Sequence, residues 1–544
     1  MRRNTLTTAV LAGLTGIAGM TGVANAVHVN PDGLGQVLLY PYYTTRGGND
    51  TLISIVNTTD RGKAVKIRFI EALNSREVLD FNIYMSPFDV WTAAITGGED
   101  APGIRTTDTT CTVPYFVGDS EDGVGEQPFL PFAYTGPAAD GGPSGIERAA
   151  SGYIEVIEMG AFVEQPTLAP AVDNPQIVAW WAKHVDGEPR NCDAIVDLWR
   201  RPGGGVSAPG ELGWWNQEGG DDPEFGFVGN RGGLFGSASI VNPDKGYLFS
   251  YDATAIANFY QSFTVSHTDP GFLTPSLQDG DVGFHQALIS GVTSFSSNAF
   301  LNWDQDVAGH LPLNGALTIN ALLNEYSLES SIEAATEWVV TFPTKRFHTD
   351  AVEFGLEAAI PPFGDLWTKD DPYSCDTIPF EFWDREEAKV EPDDGGVVVS
   401  PRPPGVEPDE FQLCREANVI RFTNKGDVPD RTEILGEPSR SIEELSYVNF
   451  EVPGSFESGW TRFNFDRRDD DGEPLFVSVN SQISERTEDG ITRPIGGERV
   501  VGLPAIGFGV TTAFRGDMDG VIANYGGTFK HRGTREFPIQ SATD

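Results

Sequence analysis

"SIVNTTDRGKAVKIRF", residues 54–69, is the stretch whose pattern decides the fold. From Val65 onward apolar and charged residues alternate: Val65, Ile67 and Phe69 fall on one side, Lys66 and Arg68 on the other. A period of two predicts a half-buried antiparallel strand with its charged side toward water. The segment before it ends at Asn57 and is followed by Asp60 and Gly62. The phrase returns as "SIVNPDKGYLFSY", residues 239–251. Asn and Asp accept left-handed backbone angles and bond to their own chain, and Gly adopts such angles at no steric cost. Both copies read as two strands joined by a turn, and the repeat is a way of turning the chain.

Working outward, "QVLLYPYYTT", "REVLDFNIYM" and "FDVWTAAIT" are further short runs of β-branched and aromatic residues between turn-forming clusters. A second set comprises "TEWVVTFPTKRF", "PFEFWDREE", "NVIRFTN", "SYVNFEVP", "GWTRFNF", "LFVSVN" and "PAIGFGVTTAF". The expected fold is mainly β: two immunoglobulin-like β-sandwich domains with long loops and a few short helices. Residues 27–330 form the first, with helical and loop insertions. Residues 331–544 form the second, with a Pro/Gly-rich insertion at 391–410. Short helices are expected in "NPQIVAWWAKHV" and "NCDAIVDLWRR", the latter capped by Asn191, in "ATAIANFYQSF", and over 313–328.

The chain opens with Arg2-Arg3, a small-residue apolar stretch, and Ala24-Asn25-Ala26, the layout of a secretory signal peptide cleaved after Ala26. No later stretch is long and apolar enough for a transmembrane helix. The protein is therefore expected to be exported, to the cell surface, the extracellular space or the periplasm. Four cysteines, Cys111, Cys192, Cys375 and Cys414, suit two disulfides in that compartment. Three pairings are open, and proximity in sequence favours Cys111–Cys192 with Cys375–Cys414. A net charge of −42 repels phosphate and excludes nucleic acid as a partner.

No catalytic motif is present: no G-x-S-x-G elbow, no HExxH, no phosphate-binding loop. Two His-Thr-Asp triplets, at His267 and His348, are the nearest approach to a His–carboxylate pair. Acidity and export make calcium the one cofactor to consider, with Asp469, Asp470, Asp471, Asp517 and Asp519 as candidate ligands. Neither loop fits an EF-hand. Aligned on Gly472 the first and twelfth positions are Arg467 and Ser478, and on Gly520 they are Arg515 and Gly526, where carboxylates are needed. Trp180, Trp181, Trp214 and Trp215 are candidate stacking platforms for sugar rings.

"TEWVVTFPTKRF", "GLPAIGFGVTTAF", "ANYGG" and "REVLDFNIYMSPFDVW" together resemble a group of uncharacterised secreted, cell-surface β-rich proteins of Gram-negative bacteria. The resemblance covers most of the chain after residue 26. It implies export and carries no activity, cofactor or catalytic residue. The expected function is that of a non-enzymatic structural or adhesive protein of the cell surface or extracellular matrix. Its expected partners are copies of itself, other surface proteins or glycans. The alternative is a secreted carbohydrate-binding protein or carbohydrate-active enzyme.

Overall fold

The computed structural model describes residues 26–163, 178–199, 215, 223–224, 226–229, 231–281, 286–289, 299–302, 308–390, 397–439, 447–466, 475–477, 484–488, 491–495, 500–518 and 521–535. The signal-like residues 1–25 lie outside it. The fold is mainly β and sandwich-like, built on four large sheets.

Every strand of the first two sheets lies between residues 28 and 257. In the first, the order is His28–Val29, Thr254–Ala257, Val37–Thr44, Ser151–Phe162, Lys63–Glu71, Glu77–Met85 and Cys111–Val113, with Phe227–Val228 added beside Ser151–Phe162. In the second it is Tyr247–Asp252, Leu234–Asn242, Asp50–Asn57, Val90–Thr96, Gly103–Thr106 and Gly125–Pro128. The third and fourth sheets draw on residues 321–534. The third runs Glu410–Leu413, Asp376–Asp384, Ser458–Asn464, Ala321–Ser327 and Arg532–Thr534. The fourth runs Val398–Ser400, Tyr447–Glu451, Ala417–Thr423, Ala334–Thr341, Ile506–Met518 and Val521–Lys530. Within these four sheets only Ala417–Thr423 and Tyr447–Glu451 run parallel.

The two copies of Ser-Ile-Val-Asn turn out to be neighbours. Asp50–Asn57 pairs antiparallel with Leu234–Asn242, Ser54 opposite Ser237 and Leu52 opposite Ser239. Asn57 and Asn242 are both buried where their strands end. Asn57 donates to the Arg61 and Ser86 carbonyls, and the Asn242 side chain accepts from Lys245 N. The second copy is a hairpin, Leu234–Asn242 pairing with Tyr247–Asp252. The first turn instead carries the chain from Asp50–Asn57 in the second sheet to Lys63–Glu71 in the first, so the expected hairpin does not form there, although an asparagine fastens each turn.

Lys63–Glu71 departs from the expected half-buried strand, because both of its faces are buried. Arg68 donates to Glu77 at 2.6 Å and to Glu155 at 2.7 Å, Lys63 to Glu158 at 2.7 Å, and Lys66 to Asp80 at 3.0 Å. The charged side is covered by later chain, since Lys66 Nζ also donates to the Phe272 and Asp269 carbonyls. Opposite charges meet across strands, so the row Glu155–Arg68–Asp80 enters the interior paired.

Two expected helices are strands. "ATAIANFYQSF" forms the strand Thr254–Ala257, and 313–328 divides into a helix His310–Leu317 and the strands Thr318–Ile319 and Ala321–Ser327. In both, the apolar run pairs with an available strand edge, which wins over helical spacing too short to stand alone. The helices Val178–Trp181 and Cys192–Asp197 do form, and Asn191 caps the second by accepting from Ala194 N.

The largest apolar core runs through both halves of the chain. Leu38, Ile67, Trp91, Ile240 and Phe249 share it with Val339, Val419, Ile434, Phe508 and Val510. Tyr251 stacks on Phe508 with centroids 4.5 Å apart. Around it, Thr341 donates to the Pro41 carbonyl, Tyr247 to the Ile434 carbonyl, and Glu416 N to the Ala72 carbonyl. At Gly47, φ is 62°, and a Cβ there would lie 2.9 Å from Gly436 Cα. The backbones of the two halves touch at this point, and only glycine permits it.

Candidate functional site

The disulfides are Cys111–Cys192 and Cys375–Cys414, the pairing that sequence proximity favours. The first ties the helix Cys192–Asp197 to the edge strand Cys111–Val113 of the first sheet. Beneath it lies an aromatic cluster centred on His267. Trp215, Phe227 and Trp199 approach the imidazole with centroids at 4.6, 4.2 and 4.9 Å. Trp199 Nε1 donates to the Tyr84 hydroxyl at 2.7 Å, which lies 2.9 Å from His267 Nε2. Burial pushes the imidazole down to about 3, so it is neutral at ordinary pH.

This cluster accounts for most of the tryptophans singled out from sequence. Trp215 is wholly buried and stacks on Tyr84 at 5.7 Å, and Trp181 is buried as well. Trp180 is half-buried, with the Arg190 guanidinium 4.7 Å from its ring centre. Trp214 lies outside the described residues. The structure gathers these side chains around a covered core, and none of the three described presents an open ring face to solvent beside another.

The His-Thr-Asp triplets do not act as pairs. His348 is buried against Asn314 and the Ile360 carbonyl, while Asp350 caps the helix Ala351–Phe354 and receives Arg76 at 2.5 Å. His267 and Asp269 likewise bond to different partners. Of the candidate calcium ligands, Asp469, Asp470, Asp471 and Asp519 lie outside the described residues. Asp517 sits on the strand Ile506–Met518 opposite Ile522. Among the described residues no group of three or more carboxylate, imidazole or thiol side chains is arranged to hold a metal ion.

Buried charge is concentrated where the halves meet. Arg148 donates to both oxygens of Asp140, at 2.9 and 2.7 Å, and to Glu71 at 2.9 Å, with the Tyr134 ring 4.4 Å beneath it. Glu337 accepts from the Ile434 and Leu435 amides, and burial raises its carboxyl to about 7. Burial raises Glu416 to about 8. All are enclosed: Arg148 is matched by Asp140 and Glu71, while burial holds Glu337 and Glu416 toward their neutral forms, which is the arrangement of a structural weld.

Two outer surfaces remain open. On the second sheet, the cross-strand rows Phe235–Val56–Val90, Ser237–Ser54–Thr92 and Ser239–Leu52–Ala94 face away from the core. These nine positions carry no charge, although the same rows continue to Asp252 on one side and to Arg105 and Glu126 on the other, and Thr92 donates to Asp108. Phe88, two positions before Val90, is 68% exposed and held at φ 60°, a strained angle for a bulky residue. Its turn is rigid: Ser86 N and Val90 N donate to the Asp89 carboxylate, and Phe88 N to the Thr59 carbonyl.

On the third sheet, Trp383 and Trp460 are directly opposed, their rings stacked at 4.1 Å and 8°. No protein-family model, curated sequence or solved structure matches this chain. Sequence reading missed the Trp383–Trp460 pair, although the signal was present. In "EFWDREE" and "GWTRFNF" the period of two sets Trp383 with Glu381, and Trp460 with Arg462, opposite the inward Phe382 and Phe463. A tryptophan on the charged side of a strand is the mark that was available.

Proposed function

We propose that the protein is an exported, non-enzymatic structural or adhesive component of the cell surface or matrix, and that it assembles with copies of itself. The observation that carries this reading is an uncharged patch three strands wide on the outer face of the second sheet, bordered by Asp252 on one side and by Arg105 and Glu126 on the other. A chain of net charge −42 repels its own copies wherever carboxylates face outward. Over the three-strand patch from Phe235 to Ala94 that repulsion is reduced, and apolar area there gains from burial. Phe88 supports the same reading, since both its exposure and its backbone angle cost stability that a monomer would recover with another residue. Two disulfides fit an oxidising compartment, in keeping with the signal-like start. The finer architecture, one elaborated immunoglobulin-like sandwich in each half, is part of the proposal and rests on facing antiparallel sheets with inward alternation.

The test is to produce the full chain in a Gram-negative host, label intact cells with a membrane-impermeant amine reagent, and cross-link them. Labelled, cross-linked multimers are expected. A chain that stays in the cytoplasm, or is recovered only as an uncross-linked monomer, contradicts the reading.

A further inference from the structure

We propose that the outer face of the third sheet binds a neutral hexose glycan, with Trp460 as the stacking ring. The rows that make the site are fixed by strand register. Glu325, Trp460 and Trp383 stand side by side on Ala321–Ser327, Ser458–Asn464 and Asp376–Asp384. In the adjoining row, Arg462 stands next to Glu381. Trp383 covers one side of the Trp460 ring, and the strand on the other side brings Glu325, itself exposed, opposite it. Trp460 is 37% exposed, whereas Trp91, Trp181, Trp199, Trp215, Trp338 and Trp367 are all buried.

Three features point to a sugar. An exposed indole offers a flat apolar surface to the C–H side of a pyranose, and its stacked partner holds the ring still, so little rotamer entropy is lost on binding. Glu325 and Glu381 supply acceptors for hydroxyl groups, with Lys389 held 3.0 Å from Glu381 as a donor. Arg462, half-buried in the same surface, has a buried Nε with no hydrogen-bond partner among the described residues, a donor left over by the protein itself. Glu325 and Glu381 balance Lys389 and Arg462, so the site offers no net positive charge, and the molecule's net charge of −42 disfavours a polyanion, which commits the ligand to a neutral glycan. Underneath, Phe380, Phe411, Phe450 and Phe463 form a rigid aromatic floor.

The experiment titrates the purified exported chain with cellohexaose, mannohexaose and a polyuronate hexamer, read by calorimetry and tryptophan fluorescence. At least one neutral hexamer is expected to bind, and Trp460→Ala to weaken it by about tenfold or more, the loss of one stacked ring. Trp460→Tyr should recover part of that loss. Glu325→Ala, a surface change that leaves the tryptophan stack intact, should also weaken binding while the melting temperature is kept. Binding by none of the neutral hexamers, binding confined to the polyuronate, or equal binding by wild type and Glu325→Ala or a folded Trp460→Ala would each overturn the proposal. The site is separate from the self-association face, so Ser239→Glu should bind the hexamer as wild type does.

Discussion

At the scale of single residues, the interior is unusually ionic, and that governs how stability responds to pH and to mutation. Glu337 and Glu416 hold their protons up to about 7 and about 8 when folded, against an ordinary 4.5. Between those values the native chain binds more protons than the unfolded chain, so stability is fully present below 4.5 and falls as pH rises through 7 to 8. His267, His348 and His531 act in the opposite sense. Buried neutral at about 3, 4 and 4 against 6.5, they lose stability as pH falls. The melting temperature should peak in mildly acidic solution, and Glu337→Gln with Glu416→Gln should flatten the alkaline limb alone. An unchanged alkaline slope in that double variant would refute the assignment. Arg148→Ala leaves Asp140 and Glu71 buried without their cation and should cost about 3–5 kcal/mol in urea unfolding. Phe88→Gly should leave the melting temperature unchanged or higher while weakening self-association, since it removes both the strain and the exposed ring. Little of this ionic interior is legible in sequence. Lys66 and Arg68 alternate with Val65, Ile67 and Phe69 just as a solvent-facing strand would, yet Lys66 is covered by Asp269 and Phe272, some 200 positions away, and Arg68 is matched by Glu155, 87 positions away.

At the scale of elements, the turns and most strands could be read, because turn chemistry and a period of two are local. Asn57 and Asn242 marked both turns, though only the turn after Asn242 closes a hairpin and the one after Asn57 crosses between sheets, and Asn191 marked its helix. The errors fell on short apolar runs. Residues 254–257 and 321–327 carry Ala, Leu and Ile at spacings that suit either a helix or a strand, and the choice was made by partners at Val37–Thr44 and Ser458–Asn464. The tryptophans show the same limit. Trp180, Trp181 and Trp215 drew attention by adjacency in sequence, whereas Trp383 and Trp460 are 77 positions apart and meet only through register. The covalent clip in this region can be tested directly. Cys111–Cys192 closes a separation of 81 residues, for which chain entropy gives roughly 4–5 kcal/mol. Cys111→Ser with Cys192→Ser should lower stability by up to that amount. It should also broaden the near-ultraviolet circular dichroism of the Trp199–Trp215–His267 cluster, and an unchanged spectrum would show that the cluster needs no clip.

At the scale of the whole molecule, a core shared by Leu38, Trp91, Val339 and Phe508 joins the two halves, and the pairs at Arg76–Asp350 and Tyr42–Glu437 reinforce the joint. Thermal unfolding should then be one calorimetric transition, and two resolved transitions would show halves that melt separately. Outside this weld, carboxylates cover much of the surface, and the rows between Phe235 and Ala94 interrupt them. The most direct measurement is size-exclusion chromatography with light scattering on the exported chain, over a range of concentrations, beside Ser239→Glu, which places one charge against Leu52 within the uncharged patch. A wild-type mass of at least two chains that rises with concentration is expected, and a folded monomer for Ser239→Glu. A wild-type monomer at every concentration, or assemblies that the added charge leaves untouched, would contradict it.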